Sequence, residues 1–144
     1  LKIKKLNFLI PNKLNESIGM GMYGNIENSY NENDFINYVK RQMDLKYMRH
    51  SKFLNKKIKK VAVLGGSGSF GINDAIEKNI DCYITSDLKY HDFFKANNKI
   101  LLVDIGHYES ERFTKELIYN YLLKKIPKFA CIIANTNTNP VNYY

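Results

Sequence analysis

Hydrophobic positions along this chain gather in short runs parted by stretches rich in Asn, Gly and Ser, and several runs lead into segments with helical spacing. Lys2 to Ile10 carries Ile3, Leu6, Phe8, Leu9 and Ile10 ahead of Pro11, which predicts a strand ending in a turn. Asn12 to Asn33 shows little periodicity and is expected to be irregular, with Gly19 to Gly24 forming a loop beside a short strand. A helix is predicted from Asn33 or Asp34, with Phe35, Ile36, Val39 and Met43 on one face, followed by a short strand through Leu45 to Met48. Val61–Leu64, Cys82–Thr85, Lys99–Val103 and Phe129–Ile133 have the length and composition of buried strands. Between them, Ile72–Asn79 reads as a helix with Ile72, Ala75 and Ile76 inward. Leu88 to Phe94 opens another, stopped by Asn97-Asn98. From Tyr108, the spacing of Phe113, Leu117, Ile118, Tyr121 and Leu122 predicts one long helix to Lys124 and Lys125, broken by Pro127, and Asn135–Pro140 is turn chemistry. The strand, loop and helix units from Val61 to Ile133 predict an α/β domain with a mostly parallel or mixed sheet and flanking helices.

Composition narrows the function classes. A chain of 144 residues with 44% hydrophobic and 13% aromatic content is large enough to bury a core. No apolar run approaches the roughly 20 residues that span a bilayer, and no signal-peptide order opens the chain, so a soluble, cytoplasmic protein with no membrane partner is expected. Cys82 and Cys131 lie far apart in apolar runs and read as reduced, buried thiols. The net charge of +8 admits a nucleic-acid partner, but the abundance of Lys, Asn, Ile and Tyr points instead to biased residue usage. The Lys56–Lys60 patch reads as a solvated lead-in to the next strand.

Two stretches carry candidate chemistry. In Asp104-Ile105-Gly106-His107-Tyr108-Glu109-Ser110-Glu111, a strand gives way to a helix, and His107 and Glu111 are four residues apart, the spacing that puts an imidazole and a carboxylate on one helix side within reach of one metal ion. The rival is Gly65-Gly66-Ser67-Gly68-Ser69-Phe70-Gly71. Gly66, Gly68 and Gly71 have dinucleotide-loop spacing between a strand and a helix, with Asp87 about 20 residues on as a ribose-binding acid. A tight helix-on-strand turn explains the same glycines, and the pattern leaves both readings open. In a parallel sheet the glycine loop, Asp87, His91 and His107 all follow strand carboxyl ends and share one edge. His91 is read either as a helix-start residue or as a group supporting a ligand or substrate, whereas His50, between Arg49 and Ser51, reads as an exposed polar residue.

Four blocks also resemble a known family. Val61-Ala62-Val63 with Gly65 to Phe70, then Asp81 to His91, then Asp104 to Glu111, then Asn137-Thr138-Asn139-Pro140 resemble, in order and spacing, the carboxyl-terminal half of the GTP cyclohydrolase I type 2 homologue family, also called the dinuclear metal centre family. The resemblance implies one lobe of a two-lobed α/β fold that holds two divalent metals, zinc, iron, manganese or nickel, and assembles as a homohexamer. It implies that His107 and Glu111, from the family's Gly-His-Tyr-x-x-Glu motif, are metal ligands. It also implies a divalent-metal-dependent hydrolase acting on an unidentified small molecule. The family's other ligands, an adjacent His-His pair and an Asp, belong to its amino-terminal half. This chain has only His50, His91 and His107, and it begins at Leu1. It is therefore expected to be the carboxyl-terminal part of a longer protein, or a truncated member that cannot catalyse alone. Residues 1–57 are then a linking strand, glycine-rich loop and helix, and residues 58–144 the metal-site lobe. A dinucleotide-binding domain using Gly66–Gly71 and a non-catalytic assembly module are the alternatives.

Overall fold

The computed structural model describes residues 3–144, so Lys2 of the first expected strand lies outside the described residues. Two compact units divide the chain, Leu1–Ser110 and Glu111–Tyr144. The first is a mixed α/β unit built on a six-stranded sheet. Its strands are β1 (Ile3–Pro11), β2 (Gly19–Asn31), β3 (Arg49–His50), β4 (Lys57–Ser67), β5 (Cys82–Ser86) and β6 (Leu101–Asp104), in the spatial order β1-β2-β4-β5-β6-β3. Only β4 with β5 and β5 with β6 run parallel; the other three pairings are antiparallel.

The period-two geometry of strands distributes the core over both sheet faces. Val61, Cys82, Ile84, Leu101 and Val103 face one cluster with Phe35, Ile36 and Val39 of helix α1 (Glu32–Gln42). Their neighbours Ala62, Tyr83 and Leu102 face the other, with Leu9 and with Ile72 and Ala75 of helix α2 (Ile72–Glu77). Burial on both faces is why β5 and β6 read as unbroken apolar runs. Helix α1 begins at Glu32, slightly earlier than the spacing predicts. Asn31 is the cap, its side-chain oxygen accepting the Asp34 N–H at 2.8 Å.

Several expectations are corrected. The supposedly irregular segment contains β2, thirteen residues long. A Cβ on Gly19 would lie 2.6 Å from the Phe8 ring and one on Gly24 2.6 Å from the Ile3 side chain, so close crossing of β1 demands glycine and erases the hydrophobic pattern that marks a strand. The short strand lies at Arg49–His50 rather than Leu45–Met48, because pairing with β6 is pinned by Ser51. The Ser51 N–H donates to the Leu102 carbonyl and the Ser51 hydroxyl accepts the Leu102 N–H, both at 2.9 Å. The basic run does not precede β4 but enters it from Lys57, with Ile58 buried between exposed Lys57 and Lys59. The segment after Asp87 forms a 3-10 helix, Tyr90–Ala96, rather than an α-helix, and it ends on left-handed Asn97 as the Asn-Asn stop predicts.

The long helix from Tyr108 is two helices, α3 (His107–Glu111) and α4 (Thr114–Lys125), parted by a turn at Arg112–Phe113. Within the second unit no residue of α4 is buried; Leu117 is 71% and Ile118 52% exposed. Phe129–Ile133 forms no strand. An apolar run becomes a strand only where another strand accepts its backbone hydrogen bonds, and this run pairs with none among the described residues. Cys131 is accordingly half-buried rather than buried, whereas Cys82 is buried as expected, and both thiols are free.

Candidate functional site

The parallel strands β5 and β6 end at Ser86 and Asp104 on one edge of the sheet, where open α/β sheets place their ligands. Both chains reverse direction in left-handed backbone immediately afterwards, Asp87 with φ 57° and Gly106 with φ 88°. At Gly106 a side chain would be strained, and the turn starts α3 at His107, one residue earlier than expected. The two reversals bring their neighbouring side chains together. Asp87 Oδ2 lies 2.6 Å from His107 Nδ1, with both side chains about half exposed.

A buried carboxylate fixes this corner. Asp104, 4% exposed, accepts the Gly106 N–H at 3.0 Å through Oδ1 and the Leu88 N–H at 3.0 Å through Oδ2. One side chain therefore ties the residue after Asp87 to the residue before His107. Arg49 on β3 pairs with the same Oδ2 and donates to the Leu88 carbonyl at 2.8 Å, its guanidinium lying over the Phe93 ring. The Ser86 hydroxyl donates to the Gly106 carbonyl at 2.9 Å, and the Ser110 hydroxyl to the His107 carbonyl at 2.8 Å.

The glycine loop reaches the same edge but is consumed by packing. Gly65 to Ser67 continue β4, and the Gly66 N–H donates to Ser110 Oγ at 2.8 Å. The N–H of Gly68 donates to the Ser86 carbonyl and that of Gly71 to the Gly68 carbonyl. A dinucleotide loop offers such amides to a pyrophosphate. Here all three glycine amides are satisfied within the protein, and Asp87, the expected ribose acid, is held by His107. A Cβ on Gly68 would lie 2.0 Å from Thr85 Oγ1 and 2.7 Å from the Tyr83 hydroxyl, so the loop's glycines let it close over β5. The Tyr83 hydroxyl donates to the Gly68 carbonyl at 2.9 Å, and burial pushes its pKa up to about 12. Burial also pushes the Cys82 thiol far up, which keeps it protonated and inert.

His91 lies exposed on the 3-10 helix, its ring centroid 5.3 Å from that of Tyr90 and 6.3 Å from that of Phe94, and the carboxylate within hydrogen-bond distance of His107 Nδ1 is that of Asp87. Beside it, Asp92 accepts from Lys95 Nζ at 2.7 Å and from the Lys89 N–H at 2.9 Å, which holds its carboxyl below the usual range. His50 is exposed as expected, stacked on Phe53. Sequence reasoning gave no role to Asp104 or Arg49. The available signal was an acid closing a fully apolar strand two residues before a glycine, which predicts a carboxylate turned back onto backbone amides.

The Duf34/NIF3 (NGG1p interacting factor 3) profile matches residues 1–140. The chain belongs to that family. A GTP cyclohydrolase 1 type 2 homolog of Staphylococcus epidermidis is 31% identical over 141 residues, covering 95% of this chain and 38% of that protein. One from Campylobacter jejuni is 35% identical over 121 residues, covering 83% and 47%. Staphylococcus aureus protein SA1388 shares the fold at a TM-score of 0.75 and 28% identity, over 88% of this chain and 42% of that one. The chain thus spans less than half the length of each of these three proteins. No helix among the described residues is long and apolar enough to cross a membrane.

The donor set fits part of a metal site. His107 and Glu111 open and close α3, one helical turn apart, and offer an imidazole and a carboxylate suited to a borderline divalent ion. Among the described residues no group of three or more His, Cys, Asp or Glu side chains comes together as a metal cage.

Proposed function

We propose that this chain supplies half of a dinuclear site for zinc, iron, manganese or nickel in a divalent-metal-dependent hydrolase, with His107 and Glu111 as its ligands. The observation that supports this most is the one-turn spacing of the two residues on α3, whose first residue, His107, closely follows the carboxyl end of β6. Two protein donors hold a catalytic ion weakly, since such sites usually supply three or more, so the remaining ligands come from outside these 144 residues. Residues 58–144 act as the metal-site lobe and residues 1–57 as the segment linking it to a preceding region, in a cytoplasmic homohexamer acting on a small molecule.

When bound, the metal pair supplies Lewis acidity for hydrolysis. The chain's own residues do the positioning. Asp104 holds the two loop corners, Gly106 allows the reversal that starts α3, and Ser110 bonds α3 to the end of β4. The bonded glycine amides give the dinucleotide alternative no comparable support.

The test is ligand-dependent stabilisation of the native full-length protein after exhaustive chelation. Divalent metal at about 100 times its dissociation constant should stabilise it by about 2.7 kcal/mol, and NAD should leave the melting temperature unchanged. Stabilisation by NAD with none by zinc, iron, manganese or nickel would reverse the reading.

A further inference from the structure

Asp87 occupies a conformation that needs explaining. A non-glycine residue at φ 57° is in the disfavoured left-handed region, although aspartate tolerates it better than most. Its ion-pair geometry with His107 does not repay that through stability, because both side chains are about half exposed and solvent-exposed pairs contribute little. What the conformation does achieve is directional. It sets the Asp87 carboxylate 2.6 Å from one particular ring nitrogen of His107, and it is built from both sides. Asp104 clamps Leu88, next to Asp87, and Gly106, next to His107, while buried Ser86 bonds the Gly106 carbonyl.

We infer that Asp87 is a positioning residue for His107: its carboxylate accepts the Nδ1–H, fixes the imidazole as the Nδ1–H tautomer and directs Nε2 to the metal. A histidine that ligates through one nitrogen characteristically donates the other N–H to a carboxylate or carbonyl, which sets the ring orientation and raises ligand basicity. The neutral ring has one N–H, so holding it on Nδ1 leaves the Nε2 lone pair as donor. The inference rests on the proposed metal site, but its first consequence, the tautomer, exists without metal.

The experiment uses the full-length protein with Asp87→Gly, which removes the carboxylate while suiting the left-handed backbone, and Asp87→Asn, which keeps a neutral acceptor. Nitrogen-15 spectra of the metal-free protein should show His107 as the Nδ1–H tautomer in wild type and as a tautomer mixture in Asp87→Gly. Zinc affinity, measured by chelator competition, should fall about 10–100-fold in Asp87→Gly and less in Asp87→Asn, at nearly unchanged melting temperature. A wild-type tautomer and wild-type zinc affinity in Asp87→Gly, with binding lost in His107→Ala, overturns the role of Asp87 alone. Wild-type zinc affinity in His107→Ala overturns the metal site instead, and the tautomer measurement still decides whether Asp87 sets the ring.

Discussion

The carboxylate of Asp104 accepts the backbone N–H of Leu88 at 3.0 Å, so the end of β6 carries the loop that leaves β5. With Gly106 bonded to its other oxygen, this side chain satisfies two amides at the corner bearing Asp87 and His107. Asp104→Ala leaves both without their acceptor, and an unsatisfied buried group costs about 1–3 kcal/mol. Urea denaturation should show a loss of about 2–5 kcal/mol. Arg49→Ala removes a mostly exposed partner and should cost about 1 kcal/mol or less. Equal losses in the two variants would show that the ion pair, and not the amide clamp, holds the corner.

Gly68 is required by crowding. Adding a methyl group there drives it into Thr85 Oγ1 and the Tyr83 hydroxyl, both fixed in a buried strand. Gly68→Ala should destabilise by about 1–3 kcal/mol, the usual range for overpacking. Combining it with Thr85→Ala should recover part of that loss in a thermal melt, since the nearer obstacle is gone. A Gly68→Ala protein as stable as wild type would show that the loop has room to spare.

Tyr83 gives the fold an alkaline limit. Burial raises its folded pKa to about 12, above the ordinary tyrosine value of about 10, so the unfolded chain loses this proton first as pH rises. The associated stability is complete below about pH 10 and is lost as pH rises through about 12. In Tyr83→Phe, stability measured by denaturant between pH 9 and 12 should fall less steeply than in wild type, after a loss of about 1 kcal/mol at neutral pH from the missing bond to Gly68.

The two thiols should separate cleanly. Cys82 is fully buried and its pKa is raised, whereas Cys131 is partly accessible. A thiol reagent at neutral pH should label Cys131 in the native protein and Cys82 only at the rate of unfolding, as peptide mapping of the labelled protein would show. Rapid native labelling of Cys82 would contradict its burial.

Much of this was legible in the chain because β5 and β6 are buried on both faces, so Cys82–Thr85 and Leu101–Val103 announce strands whatever surrounds them. The four-residue spacing of His107 and Glu111 was legible too, and α3 preserves it. What was hidden is tertiary. In β2, glycine at positions 19 and 24 yields to the Phe8 and Ile3 side chains and removes the strand's apolar signature. Phe129–Ile133 has a strand's composition but no strand pairing among the described residues, and composition cannot report a partner. Asp87 stood out as an acid at a strand end, but its reach to His107 depends on a left-handed backbone that a single sequence does not display. Asp104 was masked by the apolar run it terminates.

The central claim is that His107 and Glu111 are metal ligands, and the most direct measurement is elemental analysis of the full-length protein purified without added chelator, beside His107→Ala and Glu111→Ala. Bound zinc, iron, manganese or nickel in the wild type, sharply reduced in each variant while the melt remains cooperative, is the expected result. Metal content at the wild-type level in both variants would contradict the account.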